Sequence, residues 1–459
     1  MKLPACLALS ALFFAACSHP GSFSGDRKAN LVIPKRYDAT PAPSPEVSAG
    51  LLSLFNDAKL RGLVNQALKF NPDLRVSAAR LDEAGYNLGA SKAGLSPTLN
   101  ASSSASRRQF ANLGFGGGSG AIPPNNSFDA SLDAAWEPDV WGRIRAGISA
   151  AAANQQAAAA DYESARQSIA AQVMQAYMNL AGASEQLQLS RTRLSSFQDT
   201  FELVERRFEA GTSELSDLQL AKTDWENSKS EVAQRENTRD QAARQLKLLT
   251  GAYPDASLTA TLPSMSRSVP SGIPSTLLMR RPDIDAAYQR LRAADEQVTV
   301  AHRALFPSFN LTATGGRSSP TLEQLSESGF NTWTILAGLS APLIDGGRRR
   351  SELGASFKRA EQAYYSYQQT VLSAFGEVED ALGSERALAR QVTATEAALK
   401  AARLAEDRTR RNYEAGLVEI LTLLDAQRRR FAAQDALISL QTLRRQNRIS
   451  LSLSLAKGI

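Results

Sequence analysis

The chain repeats one order of motifs, and this duplication limits its possible folds more than any other feature. Asn-Pro-Asp-Leu at 71–74 matches Arg-Pro-Asp-Ile at 281–284, an offset of 210 residues. Phe-Glu-Ala-Gly at 208–211 matches Tyr-Glu-Ala-Gly at 413–416, an offset of 205 residues. A duplication at this spacing indicates that one supersecondary unit occurs twice. Each half therefore predicts helices, two strands and a long helical hairpin.

Two strands are predicted in each half, because apolar and polar residues alternate there with a period of two. In the first half the strand signals cover about 97–110 and 127–137, and in the second about 307–318 and 330–341. Phe128, Leu132 and Trp136 share one side of the second strand, whereas Asp129 and Asp133 share the other. The pattern predicts sheets with one apolar face.

The long helices carry a heptad pattern, which is typical of coiled coils. Val173, Leu180 and Leu187 begin one seam of the first long helix, and Ile169, Ala176 and Ala183 begin a second seam. No proline interrupts residues 142–210, so a single helix of about 65 residues and about 100 Å is expected. Gly211 and Gly416 are expected to end the long helices, since glycine favours the left-handed cap conformation.

The predicted fold class is an α+β membrane protein with four strands in each subunit. Outer-membrane barrels have at least about eight strands. Lipid offers no hydrogen bonds, so every backbone polar group in the membrane must pair within the protein. Four strands cannot close a barrel alone, so copies of the chain must combine. The pattern by itself leaves open 8, 12 or 16 strands, and also a small soluble sheet domain.

The N-terminus predicts a secreted lipoprotein. Lys2 and the apolar residues 7–16 form a signal peptide, expected to span residues 1–16. The residues at 14–17, which end at Cys17, resemble a bacterial lipobox, and this resemblance implies that Cys17 is acylated. Ser18, in place of Asp, implies sorting to the outer membrane. Residues 17–50 are expected to form a lipid-anchored tether.

The predicted domain order follows from the duplication. Residues 51–250 form the first structural repeat, with its hairpin tip at 211, and residues 251–280 form a connector. Residues 281–459 form the second repeat, with its tip at 416.

Composition and motif spacing argue against nucleic-acid binding, metal binding and catalysis. Lys and Arg total 52 against 46 for Asp and Glu, but the excess is spread along helices without interleaved aromatic residues, which does not favour nucleic-acid binding. The two histidines, His19 and His302, and the cysteines show no metal-ligand spacing. The glycine-rich residues 114–120 do not lie between a strand and a helix, as a phosphate loop would. The sequence therefore predicts neither an enzyme nor a metal site.

Together, the motifs resemble the TolC-like outer membrane factors, and in particular the OprM/NodT-type efflux lipoproteins. The resemblance rests on the lipobox, the duplicated Pro-Asp motifs, Glu137 with Trp141-Gly142-Arg143, Gly346-Gly347-Arg348 and the two Glu-Ala-Gly tips. It implies a homotrimer with a shared twelve-strand barrel in the outer membrane and a periplasmic helical tunnel. It also implies a periplasmic adaptor and an inner-membrane pump of the resistance-nodulation-division type, with no cofactor.

The resemblance also implies functional residues at the hairpin tips. The periplasmic gate would include Leu421, Asp425, Arg428 and Asp217. The adaptor would contact Gly211, Thr212, Ser213, Glu214, Gly416, Leu417, Val418 and Glu419. Arg428 could either pair with Asp425 or remain solvated. Val418 and Thr422 depart from the ionic pattern of some family members, so gate closure is expected to depend more on Leu421 packing.

The function expected from these features is an outer-membrane exit duct of a tripartite efflux system. The alternative is a periplasmic coiled-coil lipoprotein without a pore. That alternative explains the lipobox and the heptads, but it does not explain two strand pairs at equal intervals.

Overall fold

A computed structural model of the protein describes residues 21–25, 31–39, 50–109, 124–265 and 274–456. The predicted signal peptide, Cys17, His19 and the glycine-rich residues 114–120 lie outside the described residues. Within them, the chain divides into two compact units. Of the described residues, the strand unit contains 21–25, 81–109, 124–157 and 287–367, and the helical unit contains 31–39, 50–80, 158–265, 274–286 and 368–456. Each unit thus draws on both sequence repeats.

The described residues form twelve main elements. In chain order these are α1 (Ala58–Phe70), α2 (Pro72–Ala93), β1 (Thr98–Arg108), β2 (Asn125–Trp136), α3 (Arg143–Glu209), α4 (Leu215–Leu249), α5 (Pro274–Arg280), α6 (Pro282–Arg303), β3 (Ser308–Ser319), β4 (Asn331–Ser340), α7 (Arg348–Glu414) and α8 (Ile420–Ser454). Short 3₁₀ turns cover Leu51–Ser53, Glu323–Ser326 and Ser328–Phe330. The predicted class of four strands with long helices is confirmed. None of the described helices combines the length and the hydropathy needed to cross a membrane.

The duplicated proline motifs mark two helix starts. Pro72 and Pro282 are the first residues of α2 and α6, where a missing N–H costs nothing because that group has no partner inside a helix. Asn71 is buried and connects two elements: its Nδ2 donates to the Leu249 carbonyl at 2.9 Å, and its Oδ1 accepts from the Leu74 amide at 3.1 Å. The motif therefore ends α1, caps α2 and holds the end of α4.

The four strands form one antiparallel sheet in the order β1-β2-β3-β4. Leu99 pairs with Ala134, Ala134 with Ala313, and Ala313 with Ile335, so one apolar row crosses the sheet. Cross-strand partners share a face, and the same face carries Ala101, Ala105, Phe128, Ala130, Leu132, Trp136, Phe309, Leu311, Trp333, Ala337 and Leu339.

The opposite face of the sheet is polar. The Asp133 carboxylate accepts hydrogen bonds at 2.9 Å from the hydroxyl groups of Ser102, Ser131 and Thr314, which lie on three strands. Asp129 accepts from Ser318 Oγ at 2.6 Å. These bonds satisfy the carboxylates without any basic side chain. The sheet therefore separates an apolar face from a hydroxyl-rich, acidic face.

The two predicted heptad seams of α3 supply core residues of the helical unit. Val173 and Leu180 are fully buried in a core that also contains Val64, Leu246 and Ile449. Farther along, burial passes to the second seam, where Phe197 and Val204 are buried. Ion pairs fix the antiparallel hairpins, with Arg191 to Glu236 at 2.7 Å joining α3 to α4. Arg444 to Glu385 at 3.0 Å joins α8 to α7.

Two adjacent glycines in β3 give a matched test of the sheet. A Cβ on Gly316 would lie 2.7 Å from the Ser131 Cα, whereas a Cβ on Gly315 would meet no atom within 4 Å. We expect Gly316→Ala to destabilise the protein by about 1–3 kcal/mol, because β2 must move. Thermal unfolding followed by circular dichroism measures the effect. Gly315→Ala is the control, and equal losses in both variants would contradict the packing described.

Candidate functional site

The two hairpin ends have the same backbone geometry. Gly211 (φ 72°) and Gly416 (φ 75°) lie in the left-handed region. The Thr212 amide donates to the Arg207 carbonyl at 2.8 Å, and the Leu417 amide donates to the Asn412 carbonyl at 2.8 Å. These six-to-one bonds are those of the Schellman motif, which satisfies the last carbonyls of a helix. Glycine is therefore required at both ends by conformation.

The two ends lie side by side in the helical unit. The Arg207 guanidinium donates to the Tyr413 carbonyl at 2.6 Å and lies 4.7 Å from the Tyr413 ring centroid. One apolar cluster beneath them contains residues from all four helices. Its buried members are Phe197, Val204, Ala221, Tyr413, Ile420, Leu423 and Leu424.

The predicted gate residues Leu421 and Asp425 lie one turn apart on α8, outside this cluster. Leu421 is 52% exposed. Asp425 is exposed and accepts from Arg429 Nε at 2.7 Å. Neighbouring Leu423 and Leu424 are fully buried, so α8 presents one face to the bundle and the Leu421–Asp425 face away from it.

Arg428 has a partner that the sequence did not indicate. Its Nη2 donates to the two Asp224 carboxylate oxygens at 2.8 and 2.7 Å, so it neither pairs with Asp425 nor stands alone in solvent. The reason is helix rotation: Arg428 faces α4, where the Asp224 side chain is only 11% exposed. Sequence reasoning missed Asp224, although the buried Ala221 and Ser228 place it on an inward stripe of α4.

Asp217 lies in the first turn of α4, where the helix dipole favours a carboxylate. It accepts from Ser213 Oγ at 3.0 Å. This bond connects the turn to α4. The bonding partner of Asp217 therefore belongs to the first hairpin and not to α8.

Most of the predicted adaptor-contact residues are exposed. Gly211, Thr212, Glu214, Gly416, Leu417 and Glu419 are exposed, whereas Ser213 and Val418 are half-buried. Leu417 is 73% exposed, and Val418 packs against the apolar cluster.

Gln427 is a second residue that sequence reasoning missed. It is fully buried on α8, and its Nε2 donates to Thr200 Oγ1 at 2.9 Å. This bond joins α8 to α3 within a largely apolar layer. A polar residue at a buried heptad position is the signal that could have identified it.

The other family motif residues join strands to helices in the strand unit. Arg143 Nη2 donates to both Glu137 carboxylate oxygens at 2.9 Å. Trp141 Nε1 donates to the Pro307 carbonyl at 2.7 Å, and its ring stacks on Phe306 with centroids 5.2 Å apart. Arg303 Nη1 donates to the Gly142 carbonyl at 2.6 Å, which links the two repeats. These residues build a structural joint.

No group of three His, Cys, Asp or Glu side chains that could hold a metal occurs in the described ranges. His302 packs edge-on against the Phe306 ring, with centroids 5.7 Å apart.

The Arg428–Asp224 pair can be separated experimentally from the Arg429–Asp425 pair. Arg428→Met leaves a nearly buried carboxylate without its partner, so we expect a loss of about 1–3 kcal/mol in unfolding free energy. Arg429→Met removes an exposed pair, for which we expect a change of about 0–1 kcal/mol. Urea unfolding of both variants measures the difference. An Arg429→Met loss as large as that of Arg428→Met would contradict these assignments.

Known proteins are similar to this chain in sequence and in fold. The family model described as outer membrane efflux protein matches residues 63–252 and 273–457. The cation efflux system protein CusC of Escherichia coli O6:H1 is 29% identical over 464 residues, covering 99% of this chain and 98% of CusC. Outer membrane protein OprJ of Pseudomonas aeruginosa is 33% identical over 412 residues, covering 88% of this chain and 85% of OprJ.

A solved structure of the outer-membrane channel OprN superposes with a TM-score of 0.87 at 28% identity, covering 96% of this chain and 99% of OprN. The family model matches residues in both repeats, and they include the strands and the two hairpin ends. The chain is therefore a member of the outer membrane efflux protein family.

Proposed function

We propose that three copies of this chain form one passive exit duct in the outer membrane. Their sheets would combine into a twelve-strand barrel, and their hairpins would form a periplasmic tunnel. A periplasmic adaptor would open the tunnel at the hairpin ends, and an inner-membrane pump of the resistance-nodulation-division type would supply the energy. Cys17 would carry the lipid anchor.

The open sheet edges carry this proposal. Within the described strands, β1 and β4 each pair on one side only. A membrane barrel leaves no edge, because lipid offers no hydrogen bonds to unpaired backbone groups. Four strands fall below the minimum of about eight, so neighbouring copies must supply the missing strands. Three copies give the twelve strands that the family resemblance implies.

The two faces of the sheet support the same arrangement. Trp333, Ile335 and Leu339 are 79%, 73% and 62% exposed on the apolar face. Exposure of such large apolar side chains is favourable in lipid and unfavourable in water. The face with Asp129 and Asp133 would then line the aqueous lumen.

The exposed face of α8 supports the gate proposal. Leu421 and Asp425 are not committed to the core of their own chain, so they are available to meet their counterparts in other copies. Three Asp425 carboxylates around an axis would attract cations and repel anions. Asp217 and Arg428 would act indirectly: Asp217 would hold the first turn, and Arg428 would hold the contact between α4 and α8. Exposed Leu417 would offer the adaptor an apolar contact.

Adjacent residues in β4 test which face meets lipid. Ile335 and Leu336 are both exposed in the chain, at 73% and 60%, but on opposite faces of the sheet. We expect Ile335→Arg to destabilise the membrane-embedded protein by about 2–4 kcal/mol, as charges on lipid faces do, and Leu336→Arg to be tolerated. Urea titration of protein folded into lipid vesicles measures this. Equal tolerance of both variants would argue for a sheet in water.

Conductance across a planar bilayer tests the duct and its gate. We expect the purified protein to conduct ions, and Asp425→Ala to lower the preference for cations over anions, because one ring of negative charge is lost. Asp407→Ala is a matched control, since Asp407 also forms an exposed i,i+4 pair, with Arg411 at 2.6 Å.

A protein that does not conduct would overturn the duct. An Asp425→Ala channel with unchanged conductance and unchanged ion preference would overturn only the gate assignment.

A further inference from the structure

Three donors of the N-terminal residues converge on one carboxylate of the strand unit. Asp295 on α6 accepts from Ser22 Oγ at 2.8 Å, from the Phe23 amide at 3.1 Å and from the Ser24 amide at 2.6 Å. Hydrogen bonds to an ionised acceptor are about twice as strong as neutral ones. Three such bonds hold a short segment in one conformation.

Aromatic side chains complete the contact. Tyr288, seven residues before Asp295 on the same helix, donates its hydroxyl to the Ser24 carbonyl at 3.1 Å. The half-buried Phe23 ring lies 5.8 Å from the Tyr364 ring centroid on α7. The segment is therefore recognised through its backbone, its hydroxyl group and its ring.

We propose that Asp295, Tyr288 and Tyr364 form a docking site for the lipid-bearing N-terminal segment. The site shortens the free chain between the lipid and the folded protein, compared with the tether of residues 17–50 expected from the sequence. Part of this inference rests on the proposed acylation of Cys17. Four residues lie between Cys17 and Ser22, so their Cα atoms are five steps apart. An extended chain spans at most about 3.5 Å per step, so the lipid attachment can be no more than about 18 Å from the docked segment.

The docking site lies close to the start of the sheet. Asp295 lies eight residues before the end of α6 at Arg303, about 12 Å along the helix, and β3 begins at Ser308. The segment is thus fixed to the helix that leads into the sheet. Acyl chains held there would enter lipid close to the barrel wall.

A second, separate attachment lies in the helical unit. The Asp38 and Ala39 amides donate to the two Glu379 carboxylate oxygens at 2.6 and 2.9 Å. Tyr37 is buried beside them, and burial together with the Glu379 charge raises the pKa of its hydroxyl. If the Asp295 contact were lost, the chain would next be held at Asp38, and the reach from Cys17 would grow to about 73 Å over twenty-one Cα-to-Cα steps.

Hydrogen exchange of the full-length, lipidated protein in detergent tests the docking site. Amides that donate to Asp295 exchange only when the contact opens, so we expect peptides covering 22–25 to exchange at least about 10-fold more slowly than an unstructured chain. Asp295→Ala should remove this protection. Glu296→Gln, which removes the adjacent carboxylate of α6, should retain it.

Two further readouts keep the interpretation specific. Ser24→Pro removes one donor without changing the folded body, and it should release the Phe23 amide as Asp295→Ala does. The amides of Asp38 and Ala39 should stay protected in both variants and lose protection in Glu379→Ala. Exchange of residues 22–25 at the unstructured rate in the unmodified protein, or unchanged protection in Asp295→Ala, would overturn the docking site. This result is independent of channel conductance.

Discussion

The unpaired edges of the four-stranded sheet are the constraint on which the other features depend. Each edge presents a row of backbone donors and acceptors, and in the proposed membrane setting lipid would exclude the water that could otherwise satisfy them. Identical copies can satisfy both edges at once, because β4 of one copy can pair with β1 of the next. Repetition of that contact around an axis closes a ring. The proposed aqueous lumen, tunnel and gate all require this closure.

The hairpin ends depend on packing within one chain before they meet any partner. Arg207 joins the two tips, Arg428 joins α8 to α4, and Gln427 joins α8 to α3. These contacts set the rotation of α8, which turns Leu421 and Asp425 away from the core of their own chain. A gate built from the exposed face therefore depends on polar pairs that are themselves not part of the opening.

Much of this architecture could be predicted from the sequence, because its signals are local. Alternation around Phe128 and Ile335 indicated the strands, Pro72 and Pro282 indicated helix starts, and Gly211 and Gly416 indicated the turns. The Asp224 partner of Arg428 could not be predicted, since it depends on how two helices rotate against each other. Docking of residues 22–24 on Asp295 joins positions more than 270 apart, and a segment rich in Pro, Ser and Gly carries no pattern that specifies such a contact.

Native mass spectrometry of the detergent-solubilised protein tests the central claim most directly, because it counts the chains in one complex. The account predicts a single species of three chains, which gives a closed ring of twelve strands. A stable species of one chain, with both sheet edges satisfied in some other way, would contradict it.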